Sequence, residues 1–131
     1  MDIPLILKPV LSFLGYLLSS GAMLGLFVWI YAQVTPYREF ELIAKNNNAA
    51  AIALGGAVIG FTLPLVSAIY FTRSIVEMAI WGISTGIVQL LVFLALRRKA
   101  REIEAGHTAS AILLATFSIS IGLLNAASIS Y

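Results

Sequence analysis

Residues 46–72 read NNNAAAIALGGAVIGFTLPLVSAIYFT and contain no aspartate, glutamate, lysine or arginine. A helix rises about 1.5 Å per residue, so this stretch can cross a hydrocarbon core about 30 Å thick. Three further windows, 9–37, 78–96 and 105–131, also lack charged residues. In the whole chain of 131 residues, 60% are hydrophobic and 11% are charged, which is typical of a membrane protein. The sequence therefore predicts four transmembrane helices.

Other membrane architectures do not fit the pattern. The windows are continuously apolar rather than alternating, and four strands could not close into a barrel. The first apolar stretch, residues 11–34, exceeds the roughly 7 to 15 residues of a signal-peptide core, so we expect it to be retained. The absence of cysteine excludes disulfide and thiolate chemistry, and a net charge of +2 gives no indication of nucleic-acid binding.

A shift of sixty residues aligns the two halves of the chain, for example Ile43 with Ile103 and Asn48 with Thr108. We therefore predict one all-α membrane domain over residues 1–131, built as two tandem helical hairpins in the same orientation. Repeat one covers 11–71, with helices at about 11–34 and 49–71. Repeat two covers 75–131, with helices at about 75–97 and 109–130.

The basic residues predict the orientation in the membrane. Six of the eight lysines and arginines lie between helices one and two or between helices three and four, whereas Lys8 and Arg73 lie on the other side. Cytoplasmic loops carry the excess of basic residues, so we expect both termini on the side of the membrane away from the cytoplasm. The second loop is a candidate contact for a cytosolic protein or for anionic lipid; its basic residues are Arg97, Arg98, Lys99 and Arg101.

Polar residues stand at the cytoplasmic starts of helices two and four. Asn48 and Thr108 are predicted to cap these helices. Two interpretations are open for Asn47 and His107, which are solvated loop residues or line a shared cytoplasmic vestibule. Helix three is expected to continue into the cytosol as far as Gly106. Because the single histidine has no partners at ligand spacing, no metal site is predicted.

Small residues spaced four apart recur in the predicted helices, and such faces let helix backbones approach closely in lipid. The glycines predicted to pack are Gly21, Gly25, Gly56, Gly60, Gly82 and Gly86. Because every helix carries a face of this kind, we expect a homo-oligomer in addition to tight packing within one chain.

A few polar or helix-breaking residues lie inside the spans, namely Pro64, Ser67, Gln89, Ser118 and Asn125. Pro64 is predicted to kink helix two, and the Ser67 hydroxyl to help satisfy the freed backbone. Two uses are open for the buried amides. They hold helices together through hydrogen bonds, or they line a path for a small solute.

The charge distribution bears on function. No charged residue lies within the four windows 9–37, 46–72, 78–96 and 105–131, which disfavours proton relays and voltage sensing. Catalysis would need converging acid, base and nucleophile groups or a metal, so no catalytic, cofactor-binding or metal-binding residue is predicted. We expect a non-enzymatic component that contacts lipid and assembles with itself, with a cytosolic protein as a further partner. The alternative is a small channel or transporter for an ion or polar solute.

Four segments carry a family resemblance: YAQVTPYREFELIAKNNNAAAIALGG (31–56), GFTLPLVSAI (60–69), QLLVF (89–93) and GLLNAAS (122–128). They occur in this order over nearly the whole chain. With them the chain resembles the YjfL-like family of small bacterial inner-membrane proteins of unknown function. The resemblance implies a multi-pass inner-membrane protein and carries no catalytic residue over to this sequence.

Overall fold

The structure is a computed structural model that describes residues 3–72 and 74–129. Its helices are α1 (Ile3–Val34), α2 (Glu39–Ala44), α3 (Asn48–Phe71), α4 (Ile75–Ala95), α5 (Ala100–Glu104) and α6 (Thr108–Ser128). A 3-10 turn at Arg97–Lys99 joins α4 to α5. Four of these helices, α1, α3, α4 and α6, are long and apolar enough to cross a membrane, which confirms the predicted number of spans. Arg73 and the last two residues of the second predicted repeat lie outside the described residues.

Two helices depart most from the predictions. α1 begins at Ile3 rather than near residue 11, because the apolar residues before Pro9 continue the helix and the proline removes only one internal hydrogen bond. α4 ends at Ala95 and does not continue to Gly106. The 3-10 turn that follows is tighter than an α-helix and brings Lys99 to 3.4 Å from Glu102.

α3 is the central helix, and α6 packs closely along it. Small residues form the buried face of α3, including Ala49, Ala53, Gly56, Ala57 and Gly60. A Cβ atom added at Gly56 would lie 2.5 Å from the Cβ atom of Ala115, and one added at Gly122 would lie 2.6 Å from the Cα atom of Gly60. The two backbones are therefore in direct contact, as small residues permit in lipid.

α1 is attached by aromatic contacts near its C-terminal end. Phe27 stacks on Phe61 of α3 with ring centroids 4.4 Å apart, and Tyr31 meets Phe93 of α4 edge-on at 5.5 Å. In the most apolar 18-residue stretch of α1, only 6% of the residues are buried, against 44% in α3. α1 is therefore a peripheral helix that exposes most of its surface to lipid.

Two turns at one end of the bundle share the same backbone conformation. Asn46 (φ 63°) follows α2 and Gly106 (φ 90°) follows α5, and both adopt the left-handed conformation. In each turn two amides donate back to the preceding helix, as in a Schellman motif. The donor and acceptor pairs are Asn46 to Ile43, Asn47 to Leu42, Gly106 to Ile103 and His107 to Glu102. Gly106 thus ends a helix as expected, although that helix is α5. We call the end formed by residues 35–47 and 96–107 the loop end.

Candidate functional site at the loop end

The helix caps lie one residue earlier than predicted. Asn47, not Asn48, caps α3, and its Oδ1 atom accepts from the Ala50 amide at 3.0 Å. His107, not Thr108, occupies the same position before α6, where its side chain makes no capping hydrogen bond. The turn before each helix explains this shift. The residue after the left-handed one, Asn47 or His107, is already extended, and the helix begins at the next residue.

Asn47 also connects the two loops. Its Nδ2 atom donates to the main-chain carbonyls of Ile103 at 3.3 Å and Glu104 at 3.1 Å. These carbonyls lie at the C-terminal end of α5, where a helix leaves acceptors without internal partners. Asn47 is thus half-buried and structural, whereas His107 is exposed. A common vestibule lined by the two residues stays a prediction.

The basic loop presents an exposed cationic surface. The Glu102 carboxylate accepts a hydrogen bond from the Ser110 hydroxyl, which lowers the pKa of Glu102 together with the nearby Lys99. Lys99 therefore pairs with Glu102 within the loop. The three arginines of the loop are exposed, namely Arg97, Arg98 and Arg101.

Some of the glycines predicted to pack lie against a neighbouring helix, and others do not. Gly56 and Gly60 contact α6, while Gly82 lies against Met23 of α1. Gly86 is in ordinary contact distance of two aromatic rings, and a Cβ atom there would be accommodated. By contrast, no described atom would lie within 4 Å of a Cβ atom at Gly21 or Gly25. The glycine face of α1 is therefore not used in packing within the described chain.

Polar residues between α4 and α6 form what we call the polar seam, which comprises Thr85, Gln89, Ser118 and Asn125. The buried Gln89 donates from Nε2 to the Ser118 carbonyl at 3.0 Å. The half-buried Asn125 donates from Nδ2 to the Thr85 hydroxyl at 3.2 Å. The Oε1 atom of Gln89 is buried without a hydrogen-bond partner among the described residues. The seam thus links two spanning helices by amide hydrogen bonds.

The helix breaker in α3 does not interrupt the helix. α3 is continuous through the buried Pro64, and Ser67 is half-buried one turn later. Pro64 deprives the Gly60 carbonyl of its usual amide partner, on the side where Gly122 of α6 packs. The bend at Pro64 stays a prediction.

The sequence did not predict a buried acidic cluster at the loop end. Tyr31, Tyr37 and Glu39 have exposed fractions of 0%, 4% and 2%. Both carboxylate oxygens of Glu39 and both phenol oxygens are buried without a hydrogen-bond partner among the described residues. Together with the buried Thr35, these residues form what we call the acidic chamber.

The electrostatics of the chamber follow from its burial. Burial raises the pKa of Glu39 from an ordinary value of 4.5 to about 7. Thr35 lowers the pKa of Glu39. The hydrogen bonds of the Thr35 hydroxyl run to the main-chain carbonyls of Ala32 and Tyr37 rather than to the carboxylate. Burial and the negative charges of Glu39 and Glu104 raise the pKa of Tyr37. The chamber therefore disfavours negative charge.

The short helix α2 explains why Glu39 is buried. Glu39, Leu42 and Ile43 are spaced i, i+3 and i+4, so they share one face of the helix. Glu39 is buried and the other two are half-buried, while Arg38 and Glu41 pair at 3.1 Å on the exposed side. In the segment EFELIA, an acidic residue therefore lies on the helix face that otherwise carries apolar residues. This sequence pattern could have indicated the site.

Four membrane-length helices with direct backbone contacts and a shared loop end define a multi-pass α-helical membrane protein. Residues 5–129 match the family described as Domain of Unknown Function (DUF350). The chain belongs to this family, which confirms the resemblance to YjfL-like proteins.

Two relatives place the family in bacterial membranes. The chain is 35% identical over 126 residues to the UPF0719 inner membrane protein YjfL of Escherichia coli K12, covering 93% of this chain and 96% of the relative. It is 36% identical over 107 residues to the UPF0719 transmembrane protein YshE of Bacillus subtilis 168, covering 76% and 78%. No solved structure matches the chain significantly.

Proposed function

We propose that the protein is a non-enzymatic inner-membrane component that assembles with itself through α1. The observation that carries this proposal is the unused glycine face of α1, where a Cβ atom added at Gly21 or Gly25 would meet no described atom of a neighbouring helix within 4 Å. Small residues at this spacing let a second helix approach closely, and packing of this kind drives helix association in lipid. An apolar groove of about 290 Å³ between α1 and α4 lies on the same peripheral helix and suits a lipid acyl chain.

Substitution of a single glycine tests self-assembly. Gly25→Leu should convert an oligomer to smaller species, because a branched side chain keeps the partner helix away. Gly55→Leu is the matched control, since Gly55 also lies in a spanning helix and a Cβ atom added there would meet no described atom of a neighbouring helix within 4 Å. Mass photometry in nanodiscs gives the subunit number of each variant. A monomeric wild type, or equal subunit numbers for both variants, would contradict the proposal.

We infer that the loop end faces the cytoplasm and that both termini lie outside it, since six of eight basic residues belong to this end. Reporter fusions to the C-terminus test the orientation, and a cytoplasmic C-terminus would contradict it.

A cytosolic protein partner is proposed for the basic loop, where three exposed arginines support it. Capture of a specific partner by the wild type should be lost in the fourfold alanine variant of Arg97, Arg98, Lys99 and Arg101. Lys45→Ala, in the other loop, is the control. Retention of the partner by the fourfold variant counts against the proposal, and binding of that variant to anionic vesicles reports the lipid contribution separately.

We also infer that the two hairpins are tandem copies in the same orientation. The matching turns after α2 and α5, sixty positions apart, support this inference. A comparison of the two halves across many family members tests it. Absence of correspondence in the sixty-residue register would contradict duplication.

Passage of a small polar solute is a second candidate function. The buried and unpartnered Oε1 atom of Gln89 favours it, because a polar atom of this kind could contact a solute. The amide hydrogen bonds of the seam support a structural use more directly. Flux assays in proteoliposomes with wild type and Gln89→Leu distinguish the two uses, and absence of flux for ions and common solutes removes the transport candidate.

A further inference from the structure

The acidic chamber holds a carboxylate away from water. Glu39 is 2% exposed, and neither of its oxygens accepts a hydrogen bond from the described residues. Tyr31 of α1 and Tyr37 of the connecting loop lie within electrostatic range of it, and their hydroxyls are also buried and unpartnered. An ionised carboxylate in such surroundings is strongly unfavourable unless a positive charge neutralises it.

The described chain does not supply that positive charge. The ion pairs between described residues, Arg38–Glu41 and Lys99–Glu102, do not include Glu39. Glu104 of α5 adds further negative charge on the side of Tyr37. The neutralising charge must therefore come from outside these residues.

We propose that the acidic chamber is a binding site for one small positive charge, a proton or an alkali-metal cation, held on the Glu39 carboxylate. The free hydroxyls of Tyr31 and Tyr37 can turn their oxygen lone pairs toward a cation or donate to the carboxyl group. This assignment goes beyond self-assembly, because every group it uses belongs to one chain.

The composition of the chamber selects this ligand class. Ca²⁺ takes about six to eight oxygen ligands, commonly with several carboxylates, whereas the chamber contributes a single carboxylate. No group of three His, Cys, Asp or Glu side chains suited to a metal occurs among the described residues. Both carboxylate oxygens of Glu39 are themselves buried, which favours a small ligand.

A cleft gives the ligand access from the loop end. It has a volume of about 380 Å³ and is lined by Thr35, Tyr37 and Glu39 of the chamber and by the exposed residues Gln33, Arg38 and Glu41, among others; Arg38 pairs with Glu41. The cleft therefore borders the chamber residues at the loop end, and the polar seam is not part of its lining.

The test uses the full chain in nanodiscs at fixed ionic strength, with choline, sodium or potassium chloride, at pH 5.5 and 8.5. Thermal unfolding gives Tm, and infrared difference spectra report the band of a protonated carboxyl group. Glu39→Gln removes the site, and Glu41→Gln is the control because Glu41 is exposed on the same short helix. Tyr37→Phe retains the carboxylate and removes one free hydroxyl.

In choline chloride, Tm of the wild type and of Glu41→Gln should fall by several degrees between pH 5.5 and 8.5, and Tm of Glu39→Gln should not. If an alkali cation binds, sodium or potassium restores Tm of the wild type at pH 8.5. If only a proton binds, the three salts give equal Tm values, and the carboxyl band that disappears with rising pH is missing in Glu39→Gln. Tyr37→Phe should shift the titration midpoint.

Several results would overturn the proposal. One is a wild type whose Tm and carboxyl band do not respond to pH or salt. Another is an equal response of the wild type and Glu39→Gln. Should Glu39→Gln fail to fold, an unshifted midpoint in Tyr37→Phe would decide against the site.

Discussion

Replacing Gly56 by alanine is expected to push α6 away from α3. The added Cβ atom would lie 2.5 Å from the Cβ atom of Ala115, whereas carbon atoms in favourable contact are about 3.5 to 4.0 Å apart. The conflict also involves the backbone of Ala115, so a side-chain rotation cannot relieve it. The two helices must therefore separate by about 1 Å at this point.

The energetic consequence follows from the neighbouring contacts. A gap of about 0.5 to 1 Å forfeits roughly a quarter to a half of each dispersion contact along the interface. Overpacking of this kind typically costs about 1 to 3 kcal/mol, and alanine in place of glycine returns up to about 1 kcal/mol of helix propensity. We expect Gly56→Ala to lower the free energy of unfolding by about 1 to 2 kcal/mol.

Gly55→Ala provides the matched control. No described atom would lie within 4 Å of its Cβ atom, so only helix propensity changes, and stability should stay equal or rise. The assay is equilibrium unfolding in mixed micelles, with helicity followed as the fraction of denaturing detergent increases. If Gly56→Ala proves as stable as Gly55→Ala, the direct backbone contact between α3 and α6 is wrong.

Three further predictions use the same assay. Asn47→Ala should lower stability by about 1 to 2 kcal/mol, because a cap and the hydrogen bonds between the loops are lost, while Asn48→Ala, at an exposed position, should change little. Asn125→Leu leaves the Thr85 hydroxyl without its partner and should cost about 1 kcal/mol or less with unchanged helix content; complete unfolding would contradict this. The folded pKa of Glu39 is raised to about 7, so its contribution to stability is present below pH 4.5 and is lost as the pH rises through 7, by about 3 kcal/mol in total. A pH series should show this slope in the wild type and a flat profile in Glu39→Gln.

The sequence by itself determined the number and type of the spans. An unbroken apolar stretch of sufficient length has few alternatives to a spanning helix, because every backbone polar group in hydrocarbon must find its partner within the helix. This requirement is local, so residues 46–72 could be assigned without knowledge of the other helices. Gly106 was identified as a helix end for a similar local reason, since glycine adopts a left-handed conformation without strain.

Which side chains the helices bury was decided by the tertiary structure. Gly56 and Gly25 have the same spacing signal, yet only Gly56 meets a neighbouring helix, because α6 packs on α3 while α1 remains at the periphery. Glu39 shares the apolar face of the short segment EFELIA, but the sequence pattern alone does not show what this face packs against. It is buried because α2 turns its apolar face inward, beside Tyr31, and this depends on contacts between segments that are distant in the chain.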